Sequence, residues 1–239
     1  MRSPLTVAAV QPACSARDVA GNAGRHADAV RAAGARLVVF PELSLTGYEL
    51  DAAPVDVGDP ALAPLTGACA ATGSVALAGA PVADEQGRAY IAMLRIDGTG
   101  VRVAYRKSWL GGAEPARFTA GAGPVVLDLD GWRLGLGICK DTGVFQHVAA
   151  IAALGVDGYV AGLVHRPEEL AEQEARAVVI ARACRAPVVF ASFAGPTGDV
   201  FDETAGCSAV WSPDGRAVAR AGTEPGELAR ATLDPATRF

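Results

Sequence analysis

Residues 5–40, LTVAAVQPACSARDVAGNAGRHADAVRAAGARLVVF, decide the fold class. LTVAAV (5–10) is short and apolar and reads as a strand, Asp18 to Ala33 has the longer alanine-rich spacing of a helix, and RLVVF (36–40) is a strand again. A β-α-β opening calls for a sheet with helices packed on it. A second helix is expected over Ala61 to Ala71, then SVALAGA (74–80), then a hairpin of AYIAMLRID (89–97) and VRVAYR (101–106) turned at Gly98 to Gly100. Beyond a Gly- and Pro-rich loop (111–124), PVVLDL and WRLGLGIC read as strands and Val144 to Leu154 as a helix. DGYVAGLV (157–164) is a strand, Glu168 to Arg185 a long helix and PVVFASF (187–193) a strand. CSAVW, RAVARA and ELARATL make three closing strands joined by SPDG and GTEPG turns. With no linker, repeat or low-complexity tract, the pattern predicts one mixed α/β domain over 1–239. Its modestly amphipathic helices cover one face of a sheet, so the other face needs a second sheet or a partner subunit.

Composition narrows the function classes. Hydrophobic residues make up 51% of the 239 and charged ones 20%, enough apolar material for a substantial core and too much for a disordered chain. A net charge of −5 without a Lys/Arg cluster argues against nucleic acid or an anionic membrane as partner. The apolar run at the N-terminus is broken by Gln11 and Pro12, which fails as a signal peptide, and no segment has the length to span a bilayer. Five scattered cysteines without a C-x-x-C pair fit a reducing compartment, so a cytoplasmic location is expected. The nucleotide-binding glycine motifs and the G-x-S-x-G elbow are missing, and His26, His147 and His165 lack zinc spacing, so neither metal nor organic cofactor is expected.

Three polar residues fall just beyond strand ends: Glu42 after RLVVFP, Lys107 after VRVAYR and Cys139 after RLGLGI. Strand termini and their loops are where reactive groups gather in α/β folds. A thiol that needs a base, a carboxylate to serve as one, and an ammonium for a developing oxyanion make a complete acyl-transfer set. The stretches VVFPELSLTGY, YRKSWLGGAEPARFTAG and GLGICKD resemble, in order and spacing, the glutamate, lysine and cysteine signatures of the nitrilase superfamily of carbon–nitrogen hydrolases. The resemblance runs from VAAVQP to GCSAVWSPDGRAVARA.

That resemblance implies a four-layer α-β-β-α sandwich with mixed sheets, whose subunits pair as a homodimer or assemble into a higher homo-oligomer. It implies Cys139 as nucleophile, Glu42 as base and then acid, Lys107 as oxyanion stabiliser and Glu114 as a supporting glutamate. The implied reaction is hydrolysis of a small linear amide to a carboxylic acid and ammonia through a thioester. A nitrile or an N-carbamoyl amino acid would use the same residues, and a catalytically silent binding or scaffold subunit would keep the same fold.

The chain departs from the superfamily pattern around the expected pocket. Lys140 stands where an aromatic residue is common, and Gly143, Val144, Phe145 and Gln146 replace an Arg-Phe-Pro-Glu-like run. Trp109 replaces a histidine two residues after the lysine, and Ser192 an asparagine in a late strand. Lys140 is read either as a partner for a substrate carboxylate or as half of an ion pair with Asp141 or another acid. His165 is a candidate for the pocket mouth or a plain loop residue, and Tyr48, Trp109 and Phe145 are candidates for pocket walls or core.

Overall fold

The computed structural model describes residues 3–198 and 200–235. β1 (Leu5–Val10) and β2 (Leu37–Val39) lie parallel, Val7 opposite Leu37, with α1 (Val19–Ala33) as the crossover. Asp18 caps α1 by accepting a hydrogen bond from the Gly21 N–H at 2.9 Å, which fixes where the helix starts. α2 (Ala63–Thr72) makes the next crossover to β3 (Val75–Ala83), parallel to β2. β4 (Ala89–Asp97) and β5 (Gly100–Arg106) follow as antiparallel strands.

The second sheet begins with β6 (Val126–Leu129) and β7 (Trp132–Ile138) and continues through α3 (Phe145–Ala153), β8 (Gly158–Leu163), α4 (Leu170–Cys184) and β9 (Val188–Ser192). β7, β8 and β9 are parallel. β10 (Ala209–Trp211) and β11 (Ala217–Arg220) extend this sheet, and β12 (Leu228–Leu233) closes the described chain. The orders are β12-β1-β2-β3-β4-β5 and β11-β10-β9-β8-β7-β6.

Three apolar layers hold these elements. Leu5, Val7, Leu37 and Leu77 meet Trp132, Leu134, Leu136 and Val160 between the sheets. Outside the first sheet, Ala23, Ala27, Val30, Leu65 and Ala68 of α1 and α2 pack on Ala8, Val38 and Ala76. Outside the second, Ile151, Ala177 and Ile180 of α3 and α4 pack on Tyr159, Ala161 and Phe190. The abundant alanines let helix and sheet approach closely, and each fully buried Leu or Ile contributes roughly 1.5–3 kcal/mol. The result is the expected α-β-β-α sandwich.

One detail goes beyond the sequence reading and one differs from it. The three closing strands do not stay together: β12 leaves β10 and β11 and pairs antiparallel with β1, Ala231 opposite Val7. Period-2 alternation marks a strand but not its partner, so this could not be read locally. The second helix starts later than expected, because Asp59 caps a 3-10 turn over Pro60–Leu62 ahead of α2. Among the described residues no helix is long and apolar enough to cross a membrane.

Candidate active site

Glu42 lies in the chain that runs on from β2 between the two sheets. The Phe40 N–H still donates to the Leu77 carbonyl at 2.8 Å, and beyond it two glycines make room for the backbone. A Cβ on Gly79 of β3 would fall 2.2 Å from the nitrogen of Leu43, and one on Gly162 of β8 would fall 2.9 Å from the nitrogen of Glu42. Either methyl would force this backbone to move. Gly162 also stands opposite Ile138, the residue before Cys139, in the β7–β8 ladder. One small residue thus brings the glutamate segment of one sheet against the cysteine strand of the other.

Leu43 then turns with φ +49° into a 3-10 turn over Ser44–Thr46. His26 pins that turn: Nδ1 donates to the Asn22 carbonyl at 2.7 Å, leaving Nε2 to accept from the Ser44 hydroxyl at 2.8 Å. Burial lowers the pKa of His26 to about 3, so the ring is neutral in this role.

Lys107 follows β5, its N–H bonded to the Ile91 carbonyl at 2.8 Å. Its buried Nζ donates to Glu42 Oε1 and to Glu114 Oε1, both at 2.6 Å. Glu114 opens a 3-10 turn (Glu114–Ala116), and its Oε2 accepts from the Gly111 N–H at 2.9 Å. An ammonium has three protons, and these two carboxylates use two of them. Glu42 Oε2 is buried and, among the described residues, has no hydrogen-bond partner.

Cys139, immediately after β7, has φ +37°, a left-handed conformation that costs a non-glycine residue of order 1–3 kcal/mol. The half-buried thiol donates to the Val164 carbonyl at 3.3 Å, just past β8. Burial and the charge of Glu42 push its pKa up to about 12 against the pull of Lys107, so at rest it is a thiol. Burial likewise lifts Glu42 from 4.5 to about 7, opposed by Lys107 and assisted by Glu114. Burial works to lower the ammonium of Lys107, but the carboxylates of Glu42 and Glu114 hold it above its ordinary value. The four residues named for catalysis therefore form one electrostatic cluster at the carboxyl ends of strands.

The residues named for substrate binding separate. Tyr48, buried at φ +63°, packs on Phe193 and Phe201, and burial, helped by the negative charge of Glu42, raises its phenol. Burial is the main cause of that rise. Trp109 is 42% exposed. Lys140 is exposed, its stem 3.6 Å from where a Cβ on Gly111 would sit, and among the described residues it makes no ion pair. The expected pairing with Asp141 does not form because that carboxylate turns inward, accepting from the N–H groups of Ile138 and Trp109 and from the Tyr105 hydroxyl, each at 2.9 Å. His165 is not open at a pocket mouth: it is buried, with Gln173 Oε1 3.1 Å from Nδ1 and Arg176 donating to Nε2 at 3.1 Å. Phe145, 80% exposed, lines a groove between α3 and α4 on the outside of the molecule.

Gly79, Gly162, Tyr105 and the inward role of Asp141 were not found from sequence. For Asp141 the available signal was a carboxylate three residues past a strand end, where it can cap the following turn. The glycines gave none, because the backbone they admit is distant along the chain. Among the described residues no group of three or more His, Cys, Asp or Glu could hold a metal ion.

Comparison with known proteins gives the family. A family model for carbon–nitrogen hydrolases matches residues 6–238. A protein of Pseudomonas protegens named as a hydrolase in the pqqF 5' region is 31% identical over 228 residues, covering 91% of this chain and 78% of that protein. Saccharomyces cerevisiae Nit3, of branch 10 of the nitrilase superfamily, superposes with a TM-score of 0.86 at 22% identity, over 97% of this chain and 90% of that one. An amidase of Nesterenkonia sp., a Glu-to-Gln variant bearing the acetamide moiety of fluoroacetamide on its active-site cysteine, gives 0.81 at 26% identity, over 98% and 92%. With its family signature covering nearly every residue and its fold shared with these structures, the chain belongs to the carbon–nitrogen hydrolase family.

Proposed function

We propose that this chain is a thiol amidase that converts a small linear amide to a carboxylic acid and ammonia through a thioester on Cys139. The observation that carries this reading is the Lys107 ammonium held at 2.6 Å by both Glu42 and Glu114, with Glu42 Oε2 unpartnered among the described residues and in the same electrostatic cluster as the thiol. Relatedness to an amidase whose active-site cysteine carries an acetamide moiety supports it further.

As Sγ bonds to the carbonyl carbon, the π electrons move onto oxygen and the thiol proton passes to Glu42 Oε2. The remaining Lys107 proton and the Lys140 N–H receive the oxyanion. Collapse re-forms the carbonyl and breaks the C–N bond, and Glu42 returns its proton to the departing nitrogen. Water then attacks the thioester, giving a proton to Glu42, which hands it to the leaving thiolate as the acid forms. A nitrile or N-carbamoyl carbon is a related electrophile for the same groups.

Ammonia release measured over aliphatic amides, ω-amides of dicarboxylic acids, N-carbamoyl amino acids and nitriles tests the proposal. The expected result is release from an amide that disappears in Cys139→Ala. Undiminished release in that variant, or none from any amide, overturns it.

A homodimer belongs to the same proposal. Supporting it, the outer face of α3 and α4 carries Phe145 at 80% and Val179 at 60% exposure around a groove of about 380 Å³ with Val144, Val148 and Ala149. Such an apolar face is covered at little cost by a second copy. Light scattering is expected to give twice the chain mass, and the single-chain mass for Phe145→Asp with Val179→Asp.

A further inference from the structure

Asp141 is buried completely, yet nothing in the proton transfers above calls on it. Its carboxylate reaches three places at once. Oδ2 accepts from the N–H of Ile138, immediately before Cys139, and from the hydroxyl of Tyr105, two residues before Lys107. Oδ1 accepts from the N–H of Trp109, two residues after Lys107, and all three bonds measure 2.9 Å. The Tyr105 hydroxyl is itself fixed by Ser108, whose Oγ lies at 3.0 Å. The chain on both sides of the ammonium is therefore tied to the turn that carries the thiol, although β5 and β7 belong to different sheets.

We infer that Asp141 is the positioning residue that sets the Lys107 ammonium against the Cys139 thiol, by bonding the backbone and side chains on either side of the lysine to the nucleophile turn. The inference rests on the amidase reading. A carboxylate suits the task because it only accepts hydrogen bonds, and three donors converge on it. Asparagine has the same shape but puts an amide N–H₂ in place of one oxygen. Flipped one way, it opposes the Trp109 N–H; flipped the other, it opposes the Ile138 N–H. One strap is lost in either orientation, and a displacement on the order of 1 Å at a reacting group can cost about 10²-fold in rate.

The charge adds a second signature. Glu42 is faced by Lys107, Glu114, Cys139, Tyr48 and Asp141. Burial is the main cause of its raised pKa, and the negative charge of Asp141 adds to the rise. Removing that charge lowers the pKa of the base, so the acidic limb of the kcat/KM profile moves to lower pH.

The experiment compares the full-length wild type, Asp141→Asn and Tyr105→Phe on the best amide, with active sites titrated and folding checked by circular dichroism. Expected in Asp141→Asn are a kcat lower by about 10²-fold, a KM within a few fold of wild type, and an acidic limb at lower pH. Tyr105→Phe, which cuts one of the three bonds and keeps the carboxylate, is expected to lower kcat by about tenfold or less at unchanged KM. Wild-type kcat per titrated site in folded Asp141→Asn, or an unmoved limb, overturns the inference. If that variant does not fold, Tyr105→Phe decides alone, and wild-type kcat there overturns it. Wild-type protein without amide hydrolysis would instead strike at the amidase reading.

Discussion

The layer between the two sheets has two unlike ends. At the amino ends of β1, β2 and β7, Leu5, Leu37, Trp132 and Leu134 are buried among one another and form a dry apolar contact. Where the chain leaves β2, β5 and β7, the same layer holds Glu42, Lys107 and Asp141, all buried, with Glu114 and the half-buried Cys139. Burying ions costs free energy even when they are paired, and a left-handed cysteine adds to the cost. Stability therefore comes from one end and is drawn down at the other. The two ends should respond oppositely to substitution.

Glu42→Gln is the strongest way to break that contrast. It keeps the shape of the charged end but removes the proposed proton acceptor, and general-base loss costs about 10²–10⁴ in rate. Initial rates of ammonia release are expected to fall that far with little loss of melting temperature. The wild-type profile should show the same group: the base works deprotonated, so kcat/KM falls as pH drops through about 7, a value belonging to the coupled cluster. Stability runs the other way. The fold raises this carboxyl above its ordinary 4.5, so proton uptake favours the folded state. The contribution is full below about 4.5 and lost as pH rises through about 7. Glu42→Gln should flatten the fall in melting temperature across that interval, and an equally steep fall in the variant would mean that another group titrates there.

Leu134→Ala probes the opposite end. Removing a fully buried leucine from a packed layer costs about 2–5 kcal/mol of stability. Denaturant midpoints should fall accordingly, while kcat, measured well below the unfolding transition, should stay at the wild-type value. A matching loss of kcat would show that the ends are mechanically coupled.

The two ends were also unequally legible. The apolar end could be read from strand patterns, since LTVAAV and RLVVF announce buried strands by composition alone. At the charged end, Glu42, Lys107, Glu114 and Cys139 were legible because their chemistry is carried by motifs. What holds them together was not. Gly162 matters because it pairs with Ile138 while touching the backbone of Glu42, and this relation exists only once the sheets have met. Asp141 looked like a neighbour for Lys140 because sequence shows adjacency, whereas a 3-10 turn over Cys139–Gly143 sends successive side chains in different directions. Phe145 was misjudged for a similar reason: it begins α3, and its direction follows from the helix rather than from its distance to the cysteine.

Lys140 gives the smallest and most selective effect. It sits at the rim of the charged end, exposed and without an ion pair among the described residues, and its charge adds only a little to the lowering of the Glu172 pKa, which Arg176 chiefly causes. A cation in that state costs nothing to engage, since no existing bond has to break. A substrate carrying a carboxylate away from its amide would gain a solvent-screened attraction of about 0.2–1 kcal/mol, and that gain is the same in ground and transition states. Uniform binding of this kind appears in KM and leaves kcat alone. Lys140→Ala is accordingly expected to raise KM by up to about fivefold for ω-amides of dicarboxylic acids and to leave neutral aliphatic amides unchanged. Added salt should erase the difference, because screening acts on exposed charges first. Equal effects on both substrate classes would assign the side chain to holding the turn against Gly111 and leave the carboxylate unrecognised.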